Sequence, residues 1–173
     1  LGNTTSTLID SDGKILHTWD SDYDAGQKAQ ILPNGALLRA GTDSSNHEFG
    51  NMGGVGGVIE MISWDGGLEW EYTWSNSTTI QHHDVIYLSN GNVMFAAWVS
   101  MTASEIRQAG RNSRYGNTLY ADIVLEVMPT GTKTGEIVWQ WNVWDHLVQD
   151  YCSTCDNYGV VADHPELLDL NYA

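Results

Sequence analysis

The tripeptide His82-His83-Asp84, within "TIQHHDVIYLSNGNVMFAAW", sets two imidazoles and a carboxylate just ahead of an apolar run. An imidazole can hold an anionic oxygen, move a proton or attack an electrophile, and a neighbouring carboxylate can fix its tautomer. On a regular strand adjacent residues point to opposite faces, so one histidine is expected to face a site and the other to face away. The plainer alternative is packing at the entrance of a strand. Three of the seven basic residues, Arg107, Arg111 and Arg114, cluster in "ASEIRQAGRNSRYG". Guanidinium forks match sulfate or carboxylate, although local pairing with acids would also explain them. Gly53, Gly54, Gly56 and Gly57 allow a tight backbone path or a close approach to a ligand. No Lys-Ser/Thr follows them, so they do not form a phosphate loop.

Cys152 and Cys155, in "DYCSTCDNYG", are the only cysteines. Their polar flanks read as a loop. A small loop-closing disulfide in an oxidising compartment is favoured, ahead of a free pair or a metal site completed by His146 or His164. Acids are frequent over 145–169 but lack the spacing of an EF-hand. No metal ligands are therefore assigned, and calcium is the one ion kept in view. Asn3-Thr4-Thr5 and Asn76-Ser77-Thr78 are glycosylation sequons, which matter only in a secreted protein.

The chain has 173 residues, 42% of them apolar, enough for one domain with a core. Its net charge of −15 excludes nucleic acid and anionic membrane surfaces as partners. No run of about 20 apolar residues predicts a membrane span. The chain opens on Leu1, as a processed chain or a fragment does.

The elements that would position these residues repeat. "LIDSDGKILHTWDSD" and "IEMISWDGGLEWEYTW" each read as strand, Asp-Gly turn, strand and tryptophan. "IVLEVMPTGTKTGEIVWQW" does so a third time with a longer turn. Between them lie hairpins around Asn34-Gly35 and Asn90-Gly91, expected to be type I′ turns. The period is roughly 55 residues with two hairpins per unit, the mark of a propeller blade. The fold class expected is all-β, a β-propeller of four-stranded antiparallel blades with short helical insertions at 103–116 and after Asp163. Blade-like repeats fall near 8–56, 57–100 and 119–144, with a helical and loop tail over 145–173, all within one domain. That is two to three blades, fewer than the 4–8 that close a propeller. The tryptophans are expected to fill the space between blades.

The ordered series "GGVGGVIEMISWDGGLEWEYTWSNSTTIQHHDVIYLSNGNVMFAAW", "AGR", "GEIVWQWNVWDHLVQDY" and "NYGVVADHPELLDLNY" resembles bacterial arylsulfotransferases. The resemblance implies a six-bladed propeller in the periplasm or outside the cell. It implies transfer of a sulfuryl group from a phenolic sulfate donor to a phenol acceptor through a sulfohistidine, without a nucleotide donor. In that pattern His83, or alternatively His82, is a supporting sulfate-binding residue; Asp84 beside the pair, and Arg111 by its guanidinium chemistry, are further substrate-binding candidates. The nucleophile belongs to a second half of the propeller outside these residues. A different class of reading is a non-catalytic extracellular propeller module that is covered by other copies of itself or binds glycan or calcium.

Overall fold

The computed structural model describes residues 3–50 and 52–172. The chain forms β1 (Thr5–Ile9), β2 (Ile15–Asp20), β3 (Asp24–Ile31), β4 (Leu37–Thr42), β5 (Gly57–Ile62), β6 (Leu68–Thr73), β7 (Thr79–Tyr87) and β8 (Val93–Met101). These are followed by helix α1 (Ala103–Gln108), β9 (Leu119–Gly131), β10 (Thr134–Asn142), β11 (Leu147–Val148) and β12 (Leu168–Asp169). The fold is mostly β. One four-stranded sheet has the order β3-β4-β5-β6 and a second β10-β9-β8-β7, while β1-β2 and β11-β12 form two-stranded sheets. The chain divides into two compact units. The first holds the chain up to Ala97 with Val124–Gln140, and the second holds Trp98–Ile123 with the chain from Trp141 onward.

Four hairpin turns share one construction. The amides of Asp10, Leu32, Ser63 and Leu88 donate to the carbonyls of Lys14, Ala36, Gly67 and Asn92. The fourth residue of each turn, Gly13, Gly35, Gly66 or Gly91, donates back to the first. These glycines have φ of 79°, 87°, 85° and 88°, while Asn34 and Asn90 are not left-handed. The turns are therefore three-residue loops closed by a glycine bulge, and at Asn34-Gly35 and Asn90-Gly91 they replace the expected type I′ pairs, which need two left-handed residues. Asn34 and Asn90 serve by side chain instead, each Oδ1 accepting the amide two residues on. The β9–β10 connection is shorter than its Gly-rich sequence suggests, because the strands run on to Gly131 and Thr134.

The hydrogen-bonded groups fall half a period out of step with the sequence units. Each four-stranded sheet joins an Asn-Gly hairpin to the tryptophan hairpin that follows it. The central strands β4 and β5 are buried nearly throughout. Trp19, Leu37 and Ile62 form a core cluster with Leu8 against it. Trp70 and Tyr72 on β6 and Trp74 just past its end lie on one face at strand spacing and stack at 5.5 and 6.4 Å, with Phe95 against the last two. The buried Trp19 and Trp70 indoles donate to the carbonyls of Ser63 and Thr134. Trp64 and Trp139 depart from the expected core role, being 44% and 47% exposed.

A charged row crosses the first sheet, where register pairs Arg39 with Glu60 and Glu60 with Glu71. Arg39 is 1% and Glu60 3% exposed. Arg39 donates to the carbonyls of Thr4 and Tyr23, and its Nη1 lies 3.7 Å from Glu60 Oε2, which also accepts from Ser21 Oγ. Lys133 binds both oxygens of Glu71 at 3.0 and 3.1 Å. Burial pushes the Glu60 carboxyl up and the Arg39 guanidinium down. The row ties the segments around β1–β2 to the sheet.

In the second unit, Thr102 and Glu105 close a capping box at the start of α1. A single 3-10 turn at Val143–Asp145 leads into the tail. The helix expected over "PELLDL" is not formed. The amides of Leu168 and Leu170 donate to the carbonyls of His146 and Val148, which sets β12 parallel to β11 and leaves only a 3-10 turn at Val161–Asp163.

Candidate functional site

Residues Thr79 to His82 of β7 are all buried, whereas His83 and Asp84 are exposed. The break in alternation has a backbone cause: His83 has φ of 50°, a left-handed value that non-glycine residues rarely adopt. The two rings therefore do not face opposite sides, as regular alternation would have them. They meet edge to face with centroids 5.1 Å apart and Nδ1 atoms at 2.9 Å. Such a contact requires one Nδ1 to carry the proton and the other to accept it. A buried imidazole thus backs an exposed one and couples the two tautomers.

The glycine-rich stretch covers the first half of β7. Gly56 donates to the Gln81 carbonyl, His83 donates to the Gly54 carbonyl, and Val55 bridges antiparallel to His82. Gln81 is fully buried; its Oε1 accepts from Gly57, and its Nε2 has no hydrogen-bond partner. Gly54, Gly56 and Gly57 approach the side chains of His83, Gln81 and Ile80 on β7. Asp84 Oδ1 accepts the Val85 amide and lies 3.2 Å from Lys28 Nζ. Both partners are substantially exposed, so the pair adds little stability.

Asp43 anchors the start of the loop that leads to these glycines. Its Oδ1 accepts from the Ser45 hydroxyl and its Oδ2 from the Ser75 hydroxyl. Burial raises its carboxyl, but the hydrogen bonds from Ser45 and Ser75 outweigh this and hold it below the usual range. A carboxylate lowered in the fold contributes stability that is present above its unfolded pKa and lost as pH falls through the folded one. Asp43→Asn is expected to remove that part of the acid dependence. Hydrogen exchange of the Ser45 and Asn46 amides against pH measures it, and an unchanged pH profile in the variant would refute the anchor.

Arg111 belongs to the second unit. Its Nη1 donates to the Leu170 carbonyl at 2.7 Å, and its Nε is buried without a partner. It borders a cavity of ≈ 200 Å³ with Tyr120, Trp144 and Tyr172 among the walls. Arg111 and Arg114 both lie over the Tyr115 ring, at 5.4 and 4.5 Å. This ring accounts for two of the three clustered arginines through cation–π contact.

Cys152 and Cys155 form a disulfide in the second unit. The loop is organised by the buried Gln149 side chain. Its Oε1 accepts the Tyr151 and Cys152 amides, and its Nε2 donates to the carbonyls of Cys152 and Asp156. Closing so short a loop contributes about 2 kcal/mol at most. Cys152→Ser with Cys155→Ser is thus expected to leave the loop's hydrogen-bonded path intact. Amide exchange at Tyr151 and Cys152 checks this, and full exposure of both amides would contradict it.

Both sequon asparagines are exposed. Asn76 Oδ1 accepts from Thr78 Oγ1 and two amides, and Asn3 Oδ1 accepts from Thr5. Among the described residues no group of three or more His, Cys, Asp or Glu side chains is arranged to hold a metal. No helix among them is long and apolar enough to cross a membrane. Sequence inspection singled out His82, His83, Asp84 and Arg111. It missed Gln81 and Lys28, and although it marked Gly54 it did not show that a histidine ring sits on it.

No protein-family profile and no curated protein matches the chain. A solved structure similar to it is that of a Bacteroides caccae protein of unknown function, at 14% sequence identity and a TM-score of 0.37. The match covers 80% of this chain and 54% of that one, so the chain spans about half the length of that protein.

Proposed function

We propose that these residues are the first part of an exported arylsulfotransferase-like β-propeller. The two four-stranded sheets are its blades, and the His82–His83 pair is a supporting contact for the sulfuryl group. The observation that carries this reading is the exposed imidazole of His83 with its Nδ1 held by a buried one. Where His82 Nδ1 donates to His83 Nδ1, the exposed ring carries its own proton on Nε2 and offers a donor to an oxyanion, which is what stabilising charge on a transferring group requires. In this proposal the attacking nucleophile lies outside the 173 residues. The donor is a phenolic sulfate and the acceptor a phenol.

The test is transfer from p-nitrophenyl sulfate to phenol by the full-length protein, followed by release of p-nitrophenol. Acceptor-dependent turnover supports the reading. Its absence across a panel of phenols, in protein shown to be folded, sinks it.

A second reading, a non-catalytic assembly module, is favoured by a separate observation. Ile137, Val138 and Trp139 are 40%, 46% and 47% exposed on β10, an edge strand of its sheet. An apolar stretch on an edge strand, where Glu136 is the one charged residue of β10, invites pairing with another chain. Under this reading Val138→Lys shifts the sedimentation profile from assembled to monomeric. A profile that is monomeric before the substitution excludes it.

A further inference from the structure

We propose that Gly54 is a positioning residue for the histidine pair, the seat on which the His83 ring is set against His82. A Cβ at residue 54 would lie 2.2 Å from Cε1, 2.3 Å from Nε2 and 2.6 Å from Nδ1 of His83. Three atoms of one ring thus occupy the space that any other residue's side chain would need. Gly54 also has φ of 87°, where an L side chain is strained, and its carbonyl accepts the His83 amide. Backbone and ring are therefore located by the same glycine. Two residues on, a Cβ at Gly56 would stand 2.0 Å from Gln81 Oε1, the atom that holds the Gly57 amide. The stretch from Gly54 to Gly57 is thus a mould shaped to the side chains of β7. The left-handed turn at His83 follows, because a regular strand would carry its ring to the opposite side from His82. The functional weight of this seat rests on the reading that the histidine pair contacts substrate; its geometry does not.

The loop supplies its own control. A Cβ at Gly53 would meet nothing within 4 Å. In full-length protein labelled with ¹⁵N-histidine, Gly54→Ala is expected to shift the Nδ1 resonances of His82 and His83 and abolish the pattern of one protonated and one bare Nδ1. Gly53→Ala leaves both unchanged. A purely structural glycine would lower Tm without moving the ring resonances, and that result overturns the proposal. A double-mutant cycle supplies a second readout. Gly54→Ala costs several degrees of Tm when His83 is present and clearly less in a His83→Ala background, where only the backbone strain remains. Additive losses, or failure of the double variant to fold, also overturn it. Sulfuryl transfer is assayed separately, so an inactive wild-type protein with intact ring coupling removes the functional reading and leaves the seat standing.

Discussion

Arg39→Met is expected to lower the unfolding free energy of the first unit by about 3–5 kcal/mol, the range for removing one partner of a buried ion pair. Methionine keeps much of the volume but takes a partner from three groups at once. The carbonyls of Thr4 and Tyr23 keep only the Ser21 amide and hydroxyl respectively, and Glu60 keeps only the Ser21 hydroxyl. Urea titration monitored by tryptophan fluorescence measures the loss, and a change below about 1 kcal/mol would contradict the clamp. Arg39→Met with Glu60→Met should recover much of it, since an apolar pair often replaces a buried ion pair without penalty. The pH dependence has a definite sign. Burial raises the Glu60 carboxyl above its unfolded value. Its contribution is therefore fully present below the unfolded pKa and is lost as pH rises through the folded one. Removing the Arg39 charge, which lowers Glu60, widens that gap. The difference between Arg39→Met and the parent protein should therefore shrink on acidification. Taking the difference cancels the opposite dependence of Asp43.

The second large effect is on turnover. If the histidine pair holds sulfuryl oxygens, His83→Ala in the full-length protein lowers kcat by about 10²–10³, the usual cost of one oxyanion donor. His82→Ala acts through the neighbouring ring and is expected to alter the pH profile more than the maximal rate. His83→Gln retains a donor and should restore part of the activity. Equal kcat in His83→Ala and parent would remove this histidine from the site. A fall in activity matched by a fall in Tm, with no change in pH profile for His82→Ala, would reduce the pair to packing.

Much of the fold was legible because its turns are written locally. An Asp or Asn before each glycine marked where four hairpins close, and strand alternation with tryptophan marked their faces. The turn type was not legible, since both constructions accept Asn-Gly and differ in loop length and in the backbone of the residue before the glycine. The grouping of hairpins into sheets was also hidden, because a period fixes spacing and says nothing about phase. Arg39 could not be picked out in "ALLRAG", where an arginine on a strand reads as the exposed partner of its apolar neighbours. At the candidate site the histidines were visible as residue types. Their mutual contact was not, because it depends on a left-handed residue within a strand, and no local pattern announces one where the residue is not glycine. In the tail, "PELLDL" carries helix-forming residues, but its amides were claimed by carbonyls some 20 residues earlier, a non-local competition.

The shared construction of the four turns bears on how the chain folds. Each pairs residues only a few positions apart, so each hairpin can close on the microsecond scale without waiting for distant sequence. During synthesis the hairpins would emerge one after another, each already bent, and the slow event would be their side-by-side docking rather than their formation. Replacing Gly35 with alanine should therefore slow the step that forms the β3–β4 hairpin, while leaving the early, fast phase contributed by the other hairpins in place.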